Sequence, residues 1–235
     1  MISLREKAEE LGIALTDRQL AQFEIYYELL TEKNKVMNLT AITEREDVIL
    51  KHFVDSLALV KAECGFSSQK ILDVGTGAGF PGIPLKIAFP GLKIVLLDSL
   101  NKRVKFLQEV IDALELHDIT AVHGRAEDYA RQKEYREQFD LVVSRAVANL
   151  STLSEYCLPY VKVSGMFLYK SGRIEEEMRE GKHAVYLLGG EIEDVVSFVL
   201  PGTDMERTIL KIKKQKAAPK RYPRKAGLPS KEPIR

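Results

Sequence analysis

From residue 70 onward, short apolar runs alternate with amphipathic stretches, and this alternation limits the possible folds more than any other feature of the chain. The apolar runs cover residues 70–74, 93–98, 119–123, 139–144, 165–169, 191–200 and 207–212, and the helical stretches cover 83–89, 101–114, 150–158 and 174–188. Such alternation is typical of βαβ units and predicts an α/β fold with a parallel sheet covered on both faces. Only a turn separates the last two runs, so they should form an antiparallel hairpin at one edge.

The first 65 residues have a different pattern, in which apolar residues recur at helical spacing. Thr16 and Gln19 match a capping box, and Thr43 and Glu46 repeat it before a second amphipathic stretch. Amphipathic helices must bury their apolar face, so we expect them to pack on the following domain. We therefore divide the chain into a helical extension at 1–65, an α/β domain at 66–213 and a C-terminal arm at 214–235.

The formal net charge of the 235 residues is +1, but the charges are unevenly distributed. Residues 211–235 contain ten lysines and arginines against one acid, which makes this end +9 and the preceding part −8. Four prolines among these cations predict an extended arm rather than an element of the core. The net charge of +1 conceals this uneven distribution. A basic arm on an acidic body favours a contact with nucleic acid.

Composition and cysteine content exclude several classes of protein. With 45% hydrophobic and 29% charged residues, the chain is neither fibrous nor wholly disordered. Cys64 and Cys157 form no C-x-x-C pair and no His/Cys cluster is present, so we expect neither a disulfide framework nor a metal site. No apolar stretch is long enough for a signal peptide or a membrane span, which predicts a soluble, cytoplasmic protein.

The strongest chemical signal is a glycine-rich segment that follows the first predicted strand. Gly77, Gly79 and Gly82 match G-x-G-x-x-G, the dinucleotide fingerprint of nicotinamide-dependent oxidoreductases. Gly75, Gly77 and Gly79 also match G-x-G-x-G, with Asp73 two residues upstream. An acid there suits a ligand that carries an ammonium group and disfavours a pyrophosphate, because like charges repel.

Asp98 ends the second predicted strand, whose carboxyl end lies beside the glycine-rich segment in a parallel sheet. A carboxylate there can accept both hydroxyl groups of a ribose. A ribose and an ammonium group together describe S-adenosylmethionine, so the pattern favours a methyltransferase. The simpler alternative is a turn that only requires glycine, in which Asp73 and Asp98 serve as caps.

Several short motifs are spread over nearly the whole chain. They are Asn-Leu-Thr at 38–40, His-Phe-Val-Asp-Ser at 52–56, the glycine-rich segment 73–84, Asp-Ser-Leu-Asn-Lys-Arg at 98–103, Arg-Ala-Glu at 125–127, Ser-Arg-Ala-Val at 144–147 and Tyr-Pro-Arg-Lys at 222–225. In these motifs the chain resembles the bacterial 16S ribosomal RNA guanine-N7 methyltransferases, historically called glucose-inhibited division protein B. The resemblance implies a Rossmann-like class I S-adenosylmethionine methyltransferase fold with a seven-stranded, mostly parallel sheet and an N-terminal helical extension. It also implies S-adenosylmethionine as methyl donor and a guanosine of 16S ribosomal RNA, free or in the small ribosomal subunit, as acceptor.

The resemblance also implies which residues bind the cofactor. The positions that match the family's cofactor contacts are Gly75, Phe80, Ala126, Glu127 and Arg145. The chemistry of the glycine-rich segment and of the second strand adds Gly77, Gly79, Asp73 and Asp98 to the predicted cofactor site. Arg145 is expected to contact the substrate as well.

The end of the fourth predicted strand bears on the acceptor. Methyltransferases of exocyclic amines commonly have Asp/Asn-Pro-Pro-Tyr/Phe there, whereas this chain has Ser144-Arg145-Ala146-Val147. Guanine N7 has a free lone pair and loses no proton, so catalysis should depend on positioning without a general base. We therefore assign no catalytic residue, and we expect Cys157, in a helical run, to be a core residue rather than a nucleophile.

Four cations are candidate contacts for RNA. Lys102 and Arg103 begin a predicted helix, Arg125 follows the third strand and Lys170 follows the fifth. For Arg125 and Lys170, a phosphate contact and an ordinary surface ion pair remain open. Cations at a helix N-terminus oppose the macrodipole, so for Lys102 and Arg103 the alternatives are a phosphate contact and solvated surface charge.

His52, Asp55 and Ser56 include the residue types of a hydrolase triad, but neighbours on one helix cannot form that relay. From the residues alone we interpret them as a capping or packing cluster between the helical extension and the α/β domain. The resemblance favours a part in shaping the substrate mouth, and we assign them no chemical step. Two functions other than a methyltransferase stay open, an NAD-dependent oxidoreductase and a non-catalytic ribosome-assembly factor. In either of the RNA-related functions we expect a monomer that binds neither membrane nor metal.

Overall fold

A seven-stranded sheet forms the centre of the part of the chain that the computed structural model describes, which is residues 2–63, 65–145, 148–171 and 174–235. The strands are β1 (Lys70–Val74), β2 (Lys93–Asp98), β3 (Ile119–His123), β4 (Phe139–Arg145), β5 (Val161–Ser171), β6 (Gly190–Val199) and β7 (Glu206–Lys214). They lie in the order β3-β2-β1-β4-β5-β7-β6. β1 to β5 are parallel and β7 is antiparallel to both neighbours. The order reverses between β1 and β4, a switch point at which open α/β sheets bind ligands.

Helices pack on both faces of the sheet, where two separate apolar cores form. The helices are α1 (Ile2–Glu10), α2 (Asp17–Met37), α3 (Arg45–Val48), α4 (Asp55–Leu57), α5 (Gly82–Ala88), α6 (Asn101–Ala113), α7 (Ala126–Tyr129), α8 (Leu150–Cys157), α9 (Ile174–Leu187) and α10 (Leu228–Lys231). The segment Ile49–Val54, between α3 and α4, is π-helical. The predicted α/β fold, with a mostly parallel sheet and an N-terminal helical extension, is confirmed.

The sequence pattern located the buried strands better than the polar ones. The first three predicted strands match β1, β2 and β3 at both ends, whereas β5 begins four residues before the predicted start. The first residues of β5 are largely exposed, and the pairing with β4 shifts register there, so no apolar run marks them. The predicted antiparallel hairpin is confirmed as β6 and β7. α7 and α10 were not predicted, because four residues are too few to show a helical period.

One of the two predicted capping boxes forms. Thr16 accepts a hydrogen bond from the Gln19 amide while the Gln19 side chain accepts one from the Thr16 amide. The second prediction was wrong, because α3 begins at Arg45 with Glu44 as its N-cap and no side-chain bond. The Glu46 carboxylate instead accepts a hydrogen bond from the Ser3 hydroxyl of α1, 3.1 Å away.

The N-terminal extension shares its apolar core with one face of the sheet. Phe23 and Tyr26 of α2 and Phe53 of the π-helical segment are fully buried, and their rings contact one another with centroids 5.0–5.4 Å apart. Tyr26 and Phe53 also contact the ring of Phe80, which belongs to the glycine-rich segment. The expectation that these helices pack on the following domain is therefore confirmed.

The C-terminal segment (residues 215–235) returns along the other face of the sheet. The prediction of an arm outside the core was wrong for part of it, because Ala218 and Tyr222 are buried and Tyr222 joins the core there. The Arg136 guanidinium donates to the carbonyl groups of Ala218 and Tyr222, each at 2.9 Å. A proline-rich segment forms few internal hydrogen bonds, so its carbonyl groups remain available to such donors.

Candidate active site

A cleft of about 690 Å³ opens at the carboxyl ends of β1, β4 and β5. Three regions line it: the glycine-rich segment with Gly75, Gly77 and Phe80, the N-terminal extension with Thr40, His52 and Asp55, and the strand ends with Arg145, Lys170 and Arg207. The volume is within the range of pockets that bind a cofactor or a nucleotide. Five predicted site residues, Gly75, Gly77, Phe80, Arg145 and Lys170, therefore lie together in this cleft.

Two glycines of the segment have different structural roles. Gly77 has a φ of +62°, and a Cβ added there would meet no atom within 4 Å, so its backbone lies open to the cleft. Gly79 has a φ of +105°, and a Cβ would lie 2.5 Å from Ile83 Cδ1 and 2.7 Å from the Tyr26 hydroxyl. Gly79 is therefore required for close packing beneath the cleft and is not one of the described residues that line it.

Asp73 is completely buried beneath the glycine-rich segment. Its Oδ2 accepts hydrogen bonds from the Thr76 hydroxyl at 2.7 Å and from the Gly82 amide at 2.9 Å. Its Oδ1 has no hydrogen-bond partner among the described residues. Burial raises the pKa of Asp73 to about 6, against the opposing effect of these two hydrogen bonds.

Asp98 connects the end of β2 to the same segment. Its Oδ2 accepts a hydrogen bond from the Gly77 amide at 2.9 Å, and its Oδ1 accepts one from the Leu100 amide at 2.8 Å. Arg103, one of the predicted RNA contacts, lies 3.5 Å from Oδ2, whereas its neighbour Lys102 is exposed. Oδ1 keeps a second lone pair, so Asp98 can accept a ribose hydroxyl in addition.

The turn between β3 and α7 (residues 124–127) lies beside Asp98, because the Gly124 amide donates to the Asp98 carbonyl group at 3.0 Å. Arg125 is exposed at the start of α7, and the Ala126 carbonyl group accepts a hydrogen bond from the Tyr160 hydroxyl. Glu127 is buried, and its Oε1 accepts a hydrogen bond from the Gly227 amide at 2.7 Å. This turn is next to the cleft but, in the described chain, does not line it.

A buried carboxylate and three cations also line the cleft, and we call them the Asp55 cluster (Asp55, Arg145, Lys170 and Arg207). Asp55 Oδ2 is 3.0 Å from Arg145 and in contact with the Lys170 ammonium group, and Oδ1 is 2.7 Å from Arg207 Nε. Burial would raise the pKa of Asp55, but the charges of Lys170 and Arg145 hold it below its ordinary value. Burial lowers the pKa of Lys170 to about 8, an effect that the Asp55 carboxylate opposes.

His52 and Phe80 stack with ring centroids 4.5 Å apart, and the Arg145 guanidinium lies 5.2 Å from the Phe80 ring centroid. His52 Nδ1 is 3.4 Å from Arg145, which can only donate, and Nε2 shares a hydrogen bond of 2.8 Å with Thr40. Burial, with a smaller contribution from Arg145, lowers the pKa of His52 to about 4, so the ring is neutral at pH 7.

The His52, Asp55 and Ser56 motif forms no triad, as expected. The Ser56 hydroxyl is buried and donates to the His52 carbonyl group, one helical turn back, instead of to the imidazole ring. The motif lies where the N-terminal extension meets the strand ends, and two of its residues, His52 and Asp55, also line the cleft. Cys157 is fully buried in α8, as predicted, whereas Cys64 and the Ala146-Val147 pair lie outside the described residues.

Sequence reasoning missed Arg207 as a residue of the cleft. β7 is antiparallel to β5, so its first residues lie at the edge where the parallel strands end. The predicted hairpin contained this signal, because a return strand necessarily begins at that edge. The central position of Asp55 among three cations had no comparable signal, since its partners come from three other strands.

The described residues contain neither a cluster of metal ligands nor a membrane-spanning helix. No group of three or more His, Cys, Asp or Glu side chains that could hold a metal ion is present among them. Within the same residues, no helix combines the length and the apolar character that crossing a membrane requires.

The sequence has close relatives of known name. A sequence model of the family described as "GidB: rRNA small subunit methyltransferase G" matches residues 19–209. Proteins called ribosomal RNA small subunit methyltransferase G are 59% identical in Lachnoclostridium phytofermentans, over 95% of this chain and 93% of the relative, and 52% identical in Alkaliphilus oremlandii, over 99% and 98%. The Bacillus velezensis protein of that name is 51% identical over 96% of this chain and 95% of its own length.

Solved structures with low sequence identity share the fold. TrmN from Thermus thermophilus has a TM-score of 0.52 and 15% identity, over 68% of this chain and 48% of that chain. M. jannaschii TYW2 in complex with AdoMet has a TM-score of 0.50 and 14% identity, over 66% of this chain and 73% of that chain.

Proposed function

The chain belongs to the ribosomal RNA small subunit methyltransferase G family, and from this membership we propose that it transfers a methyl group from S-adenosylmethionine to N7 of a guanosine in 16S ribosomal RNA. The near-full-length identity with relatives of that name carries the proposal. The cleft supports it independently, because a glycine-rich segment and a cluster of cations both line a space large enough for a cofactor and a base.

The residues at the carboxyl end of β1 fit S-adenosylmethionine. Asp73 Oδ1, which has no partner among the described residues, can accept a hydrogen bond from an ammonium group, and the free lone pair of Asp98 Oδ1 can accept a ribose hydroxyl. The residues that would hold the cofactor are Gly75, Gly77, Phe80 and Arg145 from the cleft and Ala126 and Glu127 from the β3–α7 turn. When bound, the cofactor supplies a methyl group on a positively charged sulfur.

The Asp55 cluster suits the phosphate groups of RNA. It holds three cations and one carboxylate, so its net charge is +2 in a partly desolvated place where charge interacts strongly. Guanidinium groups such as those of Arg145 and Arg207 bind phosphate in a fixed two-pronged geometry. Lys170, with a pKa near 8, remains mostly protonated at neutral pH and adds a third donor.

Positioning is the contribution that we assign to the protein in the methyl transfer. Asp55 is fully engaged by cations and His52 already accepts from Arg145, so neither is poised as a general base. Guanine N7 needs no base, because its lone pair is free at neutral pH. The stacked rings of His52 and Phe80 offer an aromatic wall against which a flipped-out base can lie.

The NAD-dependent alternative is disfavoured by the start of α5. A dinucleotide fingerprint binds the pyrophosphate at the amides of a helix N-terminus. Here the Gly82 amide already donates to the Asp73 carboxylate, and the negative charge of Asp73 below that turn would repel a pyrophosphate. A non-catalytic ribosome-assembly factor would need no intact cofactor site. That alternative does not explain why a buried oxygen of Asp73 has no hydrogen-bond partner among the described residues.

Further RNA contacts would come from cations outside the cleft. Lys102, Arg125 and the exposed lysines of the C-terminal segment lie at the surface, where they can neutralise phosphates. We propose that the protein acts as a monomer in the cytoplasm, on free 16S ribosomal RNA or on the small ribosomal subunit. The division of the chain at residues 65 and 213 stays part of this proposal.

The decisive experiment is methyl transfer from labelled S-adenosylmethionine to ribosomal RNA purified from cells that lack this protein. We expect label in one 16S guanosine, at a position that becomes sensitive to the strand cleavage that follows N7 methylation. Label in protein or small molecules without label in RNA would refute the proposal. A variant with Asp73→Ala should lose transfer, whereas an assembly factor would keep its function.

A further inference from the structure

A buried ion pair anchors the C-terminal segment. Glu155 of α8 is completely buried, and its two carboxylate oxygens accept three hydrogen bonds of 2.7–3.0 Å from the Arg224 side chain. The Arg224 amide donates a further hydrogen bond to the same carboxylate at 2.6 Å. A buried carboxylate that is fully satisfied in this way holds its partner in one position.

Side chains of the domain bind the backbone of the C-terminal segment along its length. The Arg131 guanidinium donates to the Pro223 carbonyl group at 2.7 Å, and Arg136 donates to two carbonyl groups nearer β7. Thr152 and Ser151 of α8 donate to the carbonyl groups of Pro229 and Ile234. The segment is therefore docked by directional bonds from Ala218 to Ile234.

The docked segment is connected to the glycine-rich segment through three hydrogen bonds, which are linked by the chain of the β3–α7 turn and by Asp98. The Gly227 amide donates to Glu127, which lies in the β3–α7 turn. The amide of Gly124, in the same turn, donates to the Asp98 carbonyl group, and the Asp98 carboxylate accepts from the Gly77 amide. A displacement of the segment would therefore remove one of the hydrogen bonds that hold the turn at the edge of the cofactor site.

We propose that the C-terminal segment holds the β3–α7 turn in the position that the cofactor requires. The Arg224–Glu155 ion pair fixes the segment, and the Gly227–Glu127 hydrogen bond joins the segment to the turn. This inference rests on the proposed function, which places the cofactor at the carboxyl ends of β1, β2 and β3. The basic C-terminal end then has two separable roles: Arg224 supports cofactor binding, whereas exposed lysines such as Lys225 serve only RNA binding.

The two neighbours Arg224 and Lys225 provide a matched test. Both are cations of the same segment, but Arg224 holds Glu155 while the Lys225 side chain is exposed. We would measure the dissociation constant of S-adenosylmethionine by calorimetry without RNA, and then the KM for each substrate. For Arg224→Met we expect cofactor affinity to fall about tenfold, the KM for S-adenosylmethionine to rise accordingly, and kcat at saturation to stay within about twofold. For Lys225→Met we expect unchanged cofactor affinity and weaker RNA binding.

Controls separate this positioning from a loss of folding. Titrations are made well below the melting temperature of each variant, and Arg224→Lys, which keeps the charge and part of the bonding, should recover part of the cofactor affinity. If Arg224→Met does not fold, the same measurements are made on Arg136→Met. This variant removes hydrogen bonds to the same segment but leaves the Glu155–Arg224 ion pair intact. Equal cofactor affinity of folded Arg224→Met and Lys225→Met would overturn the inference. Wild-type protein that binds no S-adenosylmethionine would instead overturn the proposed function.

Discussion

The N-terminal extension and the C-terminal segment both pack on the central sheet, but the first contacts the glycine-rich segment directly, whereas the second contacts the neighbouring β3–α7 turn. The N-terminal extension buries aromatic rings against Phe80, and a hydrogen bond from the Tyr26 hydroxyl to the Ala78 carbonyl group, at 2.6 Å, joins it to the glycine-rich segment. Its ion pairs, from Asp55 to Arg145, Lys170 and Arg207, lie at the strand ends instead. The C-terminal segment is held by the Glu155–Arg224 pair and by donors to its carbonyl groups.

This difference bears on what each region can do at the site. Apolar burial is non-directional and stabilises in proportion to area, so it suits a region that builds a wall. Hydrogen bonds fix distances and angles, so they suit a region that holds a turn in place. Accordingly, the N-terminal extension contributes Thr40, His52 and Asp55 to the cleft, whereas none of the described residues of 215–235 lines it.

The largest effect is expected from a cavity in the N-terminal extension. Phe53 is fully buried among Phe23, Tyr26 and Phe80, so Phe53→Ala removes ring contacts on three sides. We expect the free energy of unfolding to fall by about 3–5 kcal/mol, measured by denaturant titration. Phe53→Leu, which fills most of the cavity, should cost about 1 kcal/mol. Equal losses of unfolding free energy in the two variants would show that buried apolar area does not attach the N-terminal extension.

These two regions also differ in how far the sequence could predict them. The periodic apolar residues of α2, such as Phe23 and Leu30, predict a helix and its buried face. The partners of Arg136 and Arg131 are backbone carbonyl groups, which every residue has and which therefore leave no signature in the sequence. The Asp55 cluster was hidden for another reason: its cations lie at or next to the ends of three different strands, and only the folded sheet brings them to one carboxylate.

The second effect concerns the ion pair of the C-terminal segment. Glu155→Gln keeps the shape of the side chain but removes its charge and places an amide donor against the Arg224 donors. Because Arg224 is partly exposed and can recover some hydration, we expect a loss of about 2–3 kcal/mol in the free energy of unfolding. The measurement is again denaturant titration. A change below about 0.5 kcal/mol would mean that the pair does not hold the segment in solution.

A third, smaller effect depends on pH and belongs to the N-terminal extension. The pKa of His52 is about 4 in the folded protein and about 6.5 in the unfolded chain, so the unfolded state binds the proton more readily. His52 therefore contributes stability above about pH 6.5 that is lost as the pH falls toward 4. We expect the wild type to lose about 2 kcal/mol more than His52→Gln between about pH 7 and pH 5. Parallel stability curves of the two proteins would contradict a buried, neutral His52.

The smallest effect on stability is expected where the C-terminal segment carries charge without contacts to the domain. Lys220, Lys225 and Lys231 are exposed, so replacing all three with alanine should change the free energy of unfolding by no more than about 0.5 kcal/mol for each substitution. If these lysines neutralise RNA phosphates, the slope of log affinity against log salt should fall by about 0.7 for each lysine, because fewer counterions are released from a single strand. An unchanged slope would mean that the C-terminal segment supports the β3–α7 turn but that these lysines do not bind RNA. A reduced slope with unchanged cofactor affinity would show that the exposed lysines bind RNA, whereas Arg224 binds the domain.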